Sequence, residues 1–138
     1  MSKHVRITDV SPRDGLQNEA IVIPAERKVR LIELLSRTGV DEIEVTSFVS
    51  PKWVPQLADA EEVVGAIEFA YRASTTFSAL VPNARGLERV LHINEQCGFP
   101  LISKVSVFTA ASETFSQRNT NATIAETIER FRPVVESA

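Results

Sequence analysis

Apolar and polar residues follow one rhythm along this chain, in which a short apolar stretch precedes an amphipathic stretch four times. β-branched and other apolar residues are concentrated over 4–10, 41–48, 76–81 and 101–110, which predicts four strands. Helical spacing follows each of them and predicts helices over 24–39, 59–70, 83–96 and 121–138. We expect parallel strands, because a crossover helix returns the chain to the same end of the sheet.

The residues that flank these stretches suit helix ends. Pro24 and Asn83 fit the starts of two helices, and Asn121 or Thr123 fits the cap of the last one. Apolar residues recur along the last helix at a spacing of three or four, and we expect them to form its buried face: Ile124, Ile128, Phe131 and Val135.

Two architectures contain four consecutive βα units, the open doubly wound sheet and the (β/α)₈ barrel. The loop after the first strand, 11–19, contains one glycine, whereas the phosphate loop of a dinucleotide-binding sheet is glycine-rich. A barrel needs eight units in about 250 residues, and these 138 residues hold four. We therefore expect an α/β chain, one domain over 1–138, that forms the first four βα units, the N-terminal half, of a TIM barrel. Ile7, Ile43 and Val105 should then face the inside of the barrel.

Composition narrows the possible partners. A net charge of −3 gives no electrostatic reason to expect nucleic acid or an anionic membrane surface. No apolar run reaches the roughly 18 residues of a membrane span. The single Cys97 excludes an internal disulfide and suits a reducing cytoplasm, where we expect the protein.

Polar residues follow each predicted strand, at positions that share one mouth in a parallel α/β fold. They are Arg13, Asp14 and Gln17 after the first strand, Glu44, Thr46 and Ser47 at the end of the second, Pro82 and Asn83 after the third, and Ser112, Glu113 and Asn119 after the fourth. An Asp at such a position suits Mg²⁺ or Mn²⁺. An adjacent Arg can hold a carbonyl, enolate or carboxylate oxygen by two hydrogen bonds. Taken alone, Arg13–Asp14 also fits a surface turn, and Glu44 fits a structural partner of Arg13.

Longer stretches resemble one family. "SPRDGLQNE" at 11–19 and "IEVTSFVSPKWVPQLAD" at 43–59 resemble the signature of the 3-hydroxy-3-methylglutaryl-CoA lyases. The resemblance extends to "SALVPNARGLE" at 78–88 and "VFTAASETFSQRN" at 107–119. These lyases belong to a group of metal-dependent lyases and aldol-type synthases with a pyruvate carboxyltransferase-like barrel. Ser11 and Thr109 depart from the pattern, since the family often has Gly at both places.

The resemblance implies a site and a reaction. Asp14 would bind a divalent cation, Mg²⁺ or Mn²⁺, and Arg13 would stabilise the carbonyl and enolate oxygen of an acyl-CoA thioester. Glu44 would support the catalytic site, and Gln17 and Ser47 would lie near the substrate. The reaction is the retro-Claisen cleavage of 3-hydroxy-3-methylglutaryl-CoA to acetyl-CoA and acetoacetate.

The resemblance also implies what this chain lacks. The family's other metal ligands, a His-x-His pair and an Asn, and its catalytic Cys in a glycine-rich loop have no match in the sequence. We assign no chemical role to His4, His92 or Cys97. We expect a portion that is inactive alone, whose partners are the C-terminal half of the barrel and further copies in a homo-oligomer. The alternatives are a related acyl-CoA aldol-type synthase and a non-catalytic half-barrel assembly fragment.

Overall fold

A computed structural model describes residues 5–67 and 75–138 of the chain. Its four strands are β1 (Thr8–Asp9), β2 (Glu42–Ser47), β3 (Thr76–Leu80) and β4 (Lys104–Ser106). They are parallel and lie side by side in chain order. A doubly wound sheet reverses its strand order at a switch point, whereas a barrel adds its strands in sequence. The observed order is that of the first four βα units of a TIM barrel, which confirms the predicted fold class.

The helices of the described residues follow the strands. They are α1 (Ala25–Ser36), α2 (Ala60–Gly65), α3 (Ala84–Cys97), α4 (Glu113–Thr120) and α5 (Ile124–Ser137), with a π-helical turn over Ser11–Gly15 and a 3₁₀ turn over Pro55–Leu57. Asn83 caps α3 as predicted, since its side chain accepts a hydrogen bond from the backbone N–H of Gly86 at 3.0 Å. Thr123 caps α5 in a capping box with Glu126. These caps fix where two of the helices begin.

The core lies between the helices and one face of the sheet. Its buried residues include Ile43 and Val45 of β2 and Phe77 and Ala79 of β3, packed with residues of α1, α2, α3 and α5. The prediction that Ile43 faces the inside of the barrel is therefore wrong, and Val105 also packs against this core. Polar side chains occupy the opposite face of the sheet instead, where they hydrogen-bond one another: Glu42, Glu44, Lys104 and Ser106.

Two predicted strands are much shorter than expected. The first was expected over 4–10, but Ile7 is 57% exposed and the carbonyl of Val10 already accepts hydrogen bonds from the next turn. The fourth was expected over 101–110, but Leu101 and Ile102 are buried in a bend before β4 begins at Lys104. The apolar residues of the first stretch are thus exposed, whereas Leu101 and Ile102 pack in the core without belonging to a strand. Residue 4 lies outside the described residues.

Helix bounds differ from the prediction in three places. Helix α2 ends at Gly65, and residues 68–70 of the predicted helix 59–70 lie outside the described part. Asn121 does not cap the last helix but ends α4 in a left-handed conformation with φ 49°. Helix α4 has no counterpart among the predicted elements, because Glu113–Thr120 is mostly polar and has no apolar stripe.

The predicted buried face of α5 is wrong in part. Thr127 and Val134 are buried, whereas Ile128 is 50% and Val135 68% exposed. Ile124 and Phe131 are half-buried. The face that packs on the core is thus rotated from the most apolar stripe, which is half-buried at Ile124 and Phe131 and exposed at Ile128 and Val135.

Candidate functional site

The turn after β1 places two charged side chains at the carboxyl end of the sheet. Asp9 holds the start of this turn, since its carboxylate accepts hydrogen bonds from the backbone N–H and the hydroxyl of Ser11 at 2.8 and 2.6 Å. The carbonyl of Val10 then accepts from the N–H groups of Arg13 and Asp14, at 3.1 and 2.7 Å. This tight turn fixes the backbone from which the side chains of Arg13 and Asp14 project.

Arg13 reaches across to Glu44 on the neighbouring strand β2. Its Nε donates to Glu44 Oε1 at 2.5 Å, and only 17% of the arginine and 7% of the glutamate side chain is exposed. The second oxygen of the same carboxylate, Oε2, accepts from the hydroxyl of Ser106 on β4 at 2.5 Å. The structure therefore brings Arg13 and Glu44 together as an ion pair with limited access to water, which strengthens its electrostatic interaction.

Asp14 extends this pair toward solvent. Its Oδ1 accepts from Arg13 Nη1 at 2.7 Å and from Gln17 Nε2 at 3.0 Å. Its Oδ2 has no hydrogen-bond partner among the described residues, and 51% of the side chain is exposed. Asn18 supports the loop by donating to the Asp14 carbonyl at 2.7 Å. One carboxylate oxygen is thus held by the protein and the other is available to a ligand.

A divalent cation would find one carboxylate ligand here. Mg²⁺ demands six oxygen ligands in near-octahedral geometry and usually keeps several waters. Over 5–67 and 75–138, no group of three or more His, Cys, Asp and Glu residues is arranged to hold a metal ion. The free oxygen of Asp14 fits a contribution to a cation site, but it does not make such a site alone.

A second ion cluster lies at the opposite ends of the same strands. Lys104 Nζ donates to both oxygens of the buried Glu42, at 2.9 and 2.7 Å, and Arg6 Nη2 lies 3.4 Å from it. Burial by itself raises the pKa of Glu42, but the hydrogen bond and charge of Lys104, with help from Ser78 and Arg6, outweigh it. The pKa of Glu42 is therefore lowered, and its carboxylate stays charged under the Arg13–Glu44 pair.

Sequence reasoning missed Glu42, Lys104 and Ser106. A signal for them was present, because Glu42 and Glu44 are two residues apart in one strand and Lys104 and Ser106 are two apart in another. Residues with that spacing share a face of the sheet. Two polar pairs at period two within apolar strands predict a polar inner face.

Ser47 lies at the end of β2, in register with Leu80 of β3. Its hydroxyl is buried and has no hydrogen-bond partner among the described residues. An unpaired buried hydroxyl costs about 1–3 kcal/mol, so this group has an unmet capacity for a ligand or water. The neighbouring Thr46 is also buried.

The other residues expected at the mouth have local roles in helices. Asn83 and Ser112 are helix caps. Glu113 accepts from the N–H of Ile124 at 3.1 Å, and Asn119 donates to the Phe115 carbonyl at 2.9 Å. Of the predicted mouth residues, the structure therefore joins Arg13, Asp14, Gln17 and Glu44 in one hydrogen-bonded cluster.

The cluster suits chemistry on a carbonyl oxygen. Nε and Nη1 of Arg13 are engaged by Glu44 and Asp14, and Nη2 has no hydrogen-bond partner among the described residues. A guanidinium anchored at two nitrogens presents its third as a directed donor toward a developing negative charge. The same mouth holds the free oxygen of Asp14.

Comparisons with known proteins agree along the whole chain. The HMGL-like family model matches residues 4–138. A Pseudomonas aeruginosa protein described as a 3-hydroxy-3-isohexenylglutaryl-CoA/hydroxy-methylglutaryl-CoA lyase is 49% identical over 138 residues, which are 100% of this chain and 43% of that relative. The chain thus spans less than half the length of this curated relative.

Solved structures give the same result. An HMG-CoA lyase from Brucella melitensis superposes with a TM-score of 0.88 at 46% identity, over 99% of this chain and 45% of that one. An HMG-CoA lyase from Acinetobacter baumannii, in complex with coenzyme A and 3-methylmalate, superposes with a TM-score of 0.84 at 35% identity, over 96% of this chain and 40% of that one. The chain therefore belongs to the HMGL-like family, and the relatives it matches are carbon–carbon lyases.

Proposed function

We propose that this chain supplies the Arg13–Asp14–Glu44 part of the active site of a hydroxymethylglutaryl-CoA lyase. The observation that carries the proposal is the Arg13–Glu44 pair at the carboxyl ends of parallel strands, in a chain similar to such lyases over its full length. In this proposal 1–138 is the N-terminal half of a pyruvate carboxyltransferase-like barrel domain. The remaining half of the barrel is its partner, the active form is a homo-oligomer, and its compartment is the cytoplasm.

The reaction breaks one carbon–carbon bond of 3-hydroxy-3-methylglutaryl-CoA. A base takes the proton of the tertiary hydroxyl, and the oxygen's electrons form the ketone of acetoacetate. The bond to the thioester α-carbon breaks, and its electron pair becomes the enolate of acetyl-CoA. That enolate then takes a proton from an acid. Negative charge therefore develops on the thioester oxygen, which is where a directed cation is most useful.

Arg13 meets this need in our proposal. Its free Nη2 donates to the thioester oxygen and holds the charge of the enolate, while Glu44 keeps the guanidinium in place. Gln17 steadies Asp14, as its hydrogen bond indicates. The unpaired hydroxyl of Ser47 makes it a candidate substrate contact.

Asp14 is the residue that would hold a divalent cation, Mg²⁺ or Mn²⁺, with its free oxygen. When bound, such a cation would acidify the substrate hydroxyl and help hold the substrate. The remaining ligands would come from outside the described residues, since no further ligand cluster lies within them.

The test joins this chain to the segment of the Pseudomonas aeruginosa lyase that lies outside the matched part. Acetoacetate release is measured with Mg²⁺ or Mn²⁺, for the chain alone and for the joined protein, on the methyl and the isohexenyl substrate. We expect no turnover by the chain alone and turnover of the methyl substrate by the joined protein. Turnover by the chain alone that Asp14→Ala abolishes would contradict the proposed ligand set.

Arg13→Lys in the joined protein tests the assigned role. Lys keeps the charge but loses the planar fork, so kcat should fall about 100-fold or more, as for an oxyanion donor, with KM nearly unchanged. Arg85→Lys is the matched control, because Arg85 is exposed on α3, and it should leave both constants unchanged. A raised KM with an intact kcat would mean that Arg13 only anchors the substrate.

A further inference from the structure

We propose that Ser106 is a positioning residue, which holds Glu44 and through it directs the guanidinium of Arg13. The inference rests on the proposed function for its catalytic consequence, but the contact itself can be tested without turnover. Among the described residues the Ser106 hydroxyl has no hydrogen bond to Arg13 or Asp14, so we argue its effect through Glu44.

The geometry holds both oxygens of one carboxylate. Arg13 Nε lies 2.5 Å from Oε1 and Ser106 Oγ lies 2.5 Å from Oε2 of Glu44. The carbonyl of Ala79 is 3.5 Å from the same hydroxyl, so the carboxylate is much the nearer acceptor. Short hydrogen bonds to an ionised acceptor are the strong ones.

Ser106 reaches Glu44 from two strands away. It lies on β4, Glu44 lies on β2, and β3 runs between them. The ladder fixes the Ser106 backbone, because its carbonyl accepts from the N–H of Val81 at 2.9 Å and its Cα pairs with Leu80. The hydroxyl therefore ties the arginine-bearing side of the sheet to its far edge.

Removing the Ser106 hydroxyl frees rotation of the Glu44 carboxylate about its terminal torsion. The terminal torsion of a glutamate is broad, and with Oε2 unpaired only Arg13 restrains the Glu44 carboxylate. With just 7% of that side chain exposed, water replaces the lost donor poorly. The carboxylate then turns to recover a partner, the Nε hydrogen bond loosens, and Nη2 of Arg13 loses its fixed direction.

A merely structural serine would behave differently. It would contribute to the free energy of unfolding and leave the Arg13 side chain unchanged. The matched pair Ser106→Thr and Ser106→Val separates the two roles, because both residues are β-branched and similar in shape and only threonine keeps the hydroxyl. Ser103→Ala is the control for the segment, since Ser103 is exposed and its side chain has no hydrogen bond among the described residues, while its backbone N–H donates to the Phe77 carbonyl.

The first measurement is exchange of the Arg13 Nε–H with water, by NMR on the ¹⁵N-arginine-labelled 138-residue chain. Loss of one hydrogen bond to a charged acceptor should speed this exchange about fivefold or more in Ser106→Val, while Ser106→Thr and Ser103→Ala stay within about twofold of the parent chain. Equal exchange in the valine and threonine variants would overturn the proposal. So would an effect of Ser103→Ala as large as that of Ser106→Val.

The second measurement is kcat and KM of the joined protein described above. Ser106→Val should lower kcat about fivefold or more with KM nearly unchanged, and Ser106→Thr should restore it. An unchanged kcat in the valine variant would overturn the positioning role. If the joined protein has no activity while Arg13 exchange responds as expected, the proposed function fails and the Ser106–Glu44–Arg13 coupling is supported.

Discussion

Lys28 and Asp59 form a largely buried ion pair, in which the lysine Nζ lies 2.6 and 2.8 Å from the two carboxylate oxygens. Only 3% of the lysine side chain is exposed. The same Nζ donates to the carbonyl of Gln56, whose side chain donates to the Glu19 carbonyl at 2.9 Å. The ammonium group therefore connects α1 to the loop before α2, and the Gln56 side chain connects that loop to the segment after the Arg13 turn.

Breaking this pair should destabilise the chain strongly. In Lys28→Met the carboxylate of Asp59 and the carbonyl of Gln56 lose their shared donor inside a closed region. Removing one partner of a buried pair typically costs about 3–5 kcal/mol. We expect a loss of roughly 3 kcal/mol in the free energy of unfolding, measured by urea titration followed by circular dichroism.

Lys52→Met is the matched control, because Lys52 is exposed on the loop after β2. It should change the free energy of unfolding by less than about 0.5 kcal/mol. Equal effects of the two substitutions would show that Lys28 is not the connection described here.

Two helical glycines should respond in opposite directions to alanine. A Cβ on Gly86 would lie 3.1 Å from the Phe48 carbonyl oxygen and 3.3 Å from atoms of Pro82 and Val81, whereas a Cβ on Gly65 would meet nothing within 4 Å. Gly86→Ala should therefore lower the free energy of unfolding by about 1–3 kcal/mol, because the added methyl group overpacks this site. Gly65→Ala should raise the free energy of unfolding by roughly 0.5 kcal/mol, because alanine reduces the conformational entropy of the unfolded chain. Thermal unfolding of both variants checks this, and a stabilised Gly86→Ala would contradict the close approach of α3 to the end of β2.

The fold could be predicted from the sequence because apolar periodicity and helix caps agree with one another. Asn83 and Thr123 start helices where the pattern places them. The inner face of the sheet was predicted wrongly, because apolar residues were assigned to the inside of the barrel, whereas Ile43 packs under the helices and charged residues face the other way. Charges at Glu42 and Lys104 are tolerated there because they neutralise each other.

The candidate site was predictable where a motif or a strand end marks its residues, and Glu44 was expected there from its place at the end of the second strand. Arg13, Asp14 and Gln17 lie within one turn, and the motif identifies them together. The hydrogen bond from Ser106 joins residues 62 positions apart, and no local pattern specifies which strand side chains will meet. Helix α4 was not predicted because it has no apolar stripe, although Ser112 caps its start and Asn121 marks its end.

Glu42 should make the free energy of unfolding of the chain depend measurably on pH in the acid range. Its pKa is lowered in the folded state: burial acts to raise it, but Lys104, Ser78 and Arg6 act more strongly in the other direction. A carboxyl group with a lowered folded pKa stabilises the fold above its ordinary value of 4.5, and this stability is lost as the pH falls through the folded pKa. Urea unfolding between about pH 3 and pH 7 should therefore show that the free energy of unfolding falls more steeply with acid in the parent chain than in Glu42→Gln.

Lys104→Met supplies the control for this dependence. Without the ammonium group less remains to counter the effect of burial, so the pKa of Glu42 should rise from its value in the parent chain. The decrease in the free energy of unfolding at low pH should then become shallower or reverse. Parallel pH profiles for the parent chain and both variants would contradict the assigned role of the Glu42–Lys104 pair.

The outer surface beside β4 combines an open strand edge with exposed apolar side chains. Strand β4 has no neighbour on its outer side among the described residues. Beside it lies a shallow groove that is lined by Val107 and by Ile128, Phe131 and Val135 of α5. Ile128 is 50% and Val135 68% exposed. Unpaired strand edges and contiguous apolar surface both favour association.

We therefore expect the 138-residue chain to self-associate through this surface. Burying a large aliphatic side chain contributes about 1.5–3 kcal/mol, and each 1.4 kcal/mol changes a dissociation constant about tenfold. Replacing both Ile128 and Val135 by Lys should weaken association about 100-fold or more while leaving the free energy of unfolding of the monomer nearly unchanged. Sedimentation equilibrium across a concentration range measures this, with Leu91→Lys as control, because Leu91 is 43% exposed on α3. A parent chain that stays monomeric throughout, or equal weakening by Leu91→Lys, would show that this surface does not mediate association.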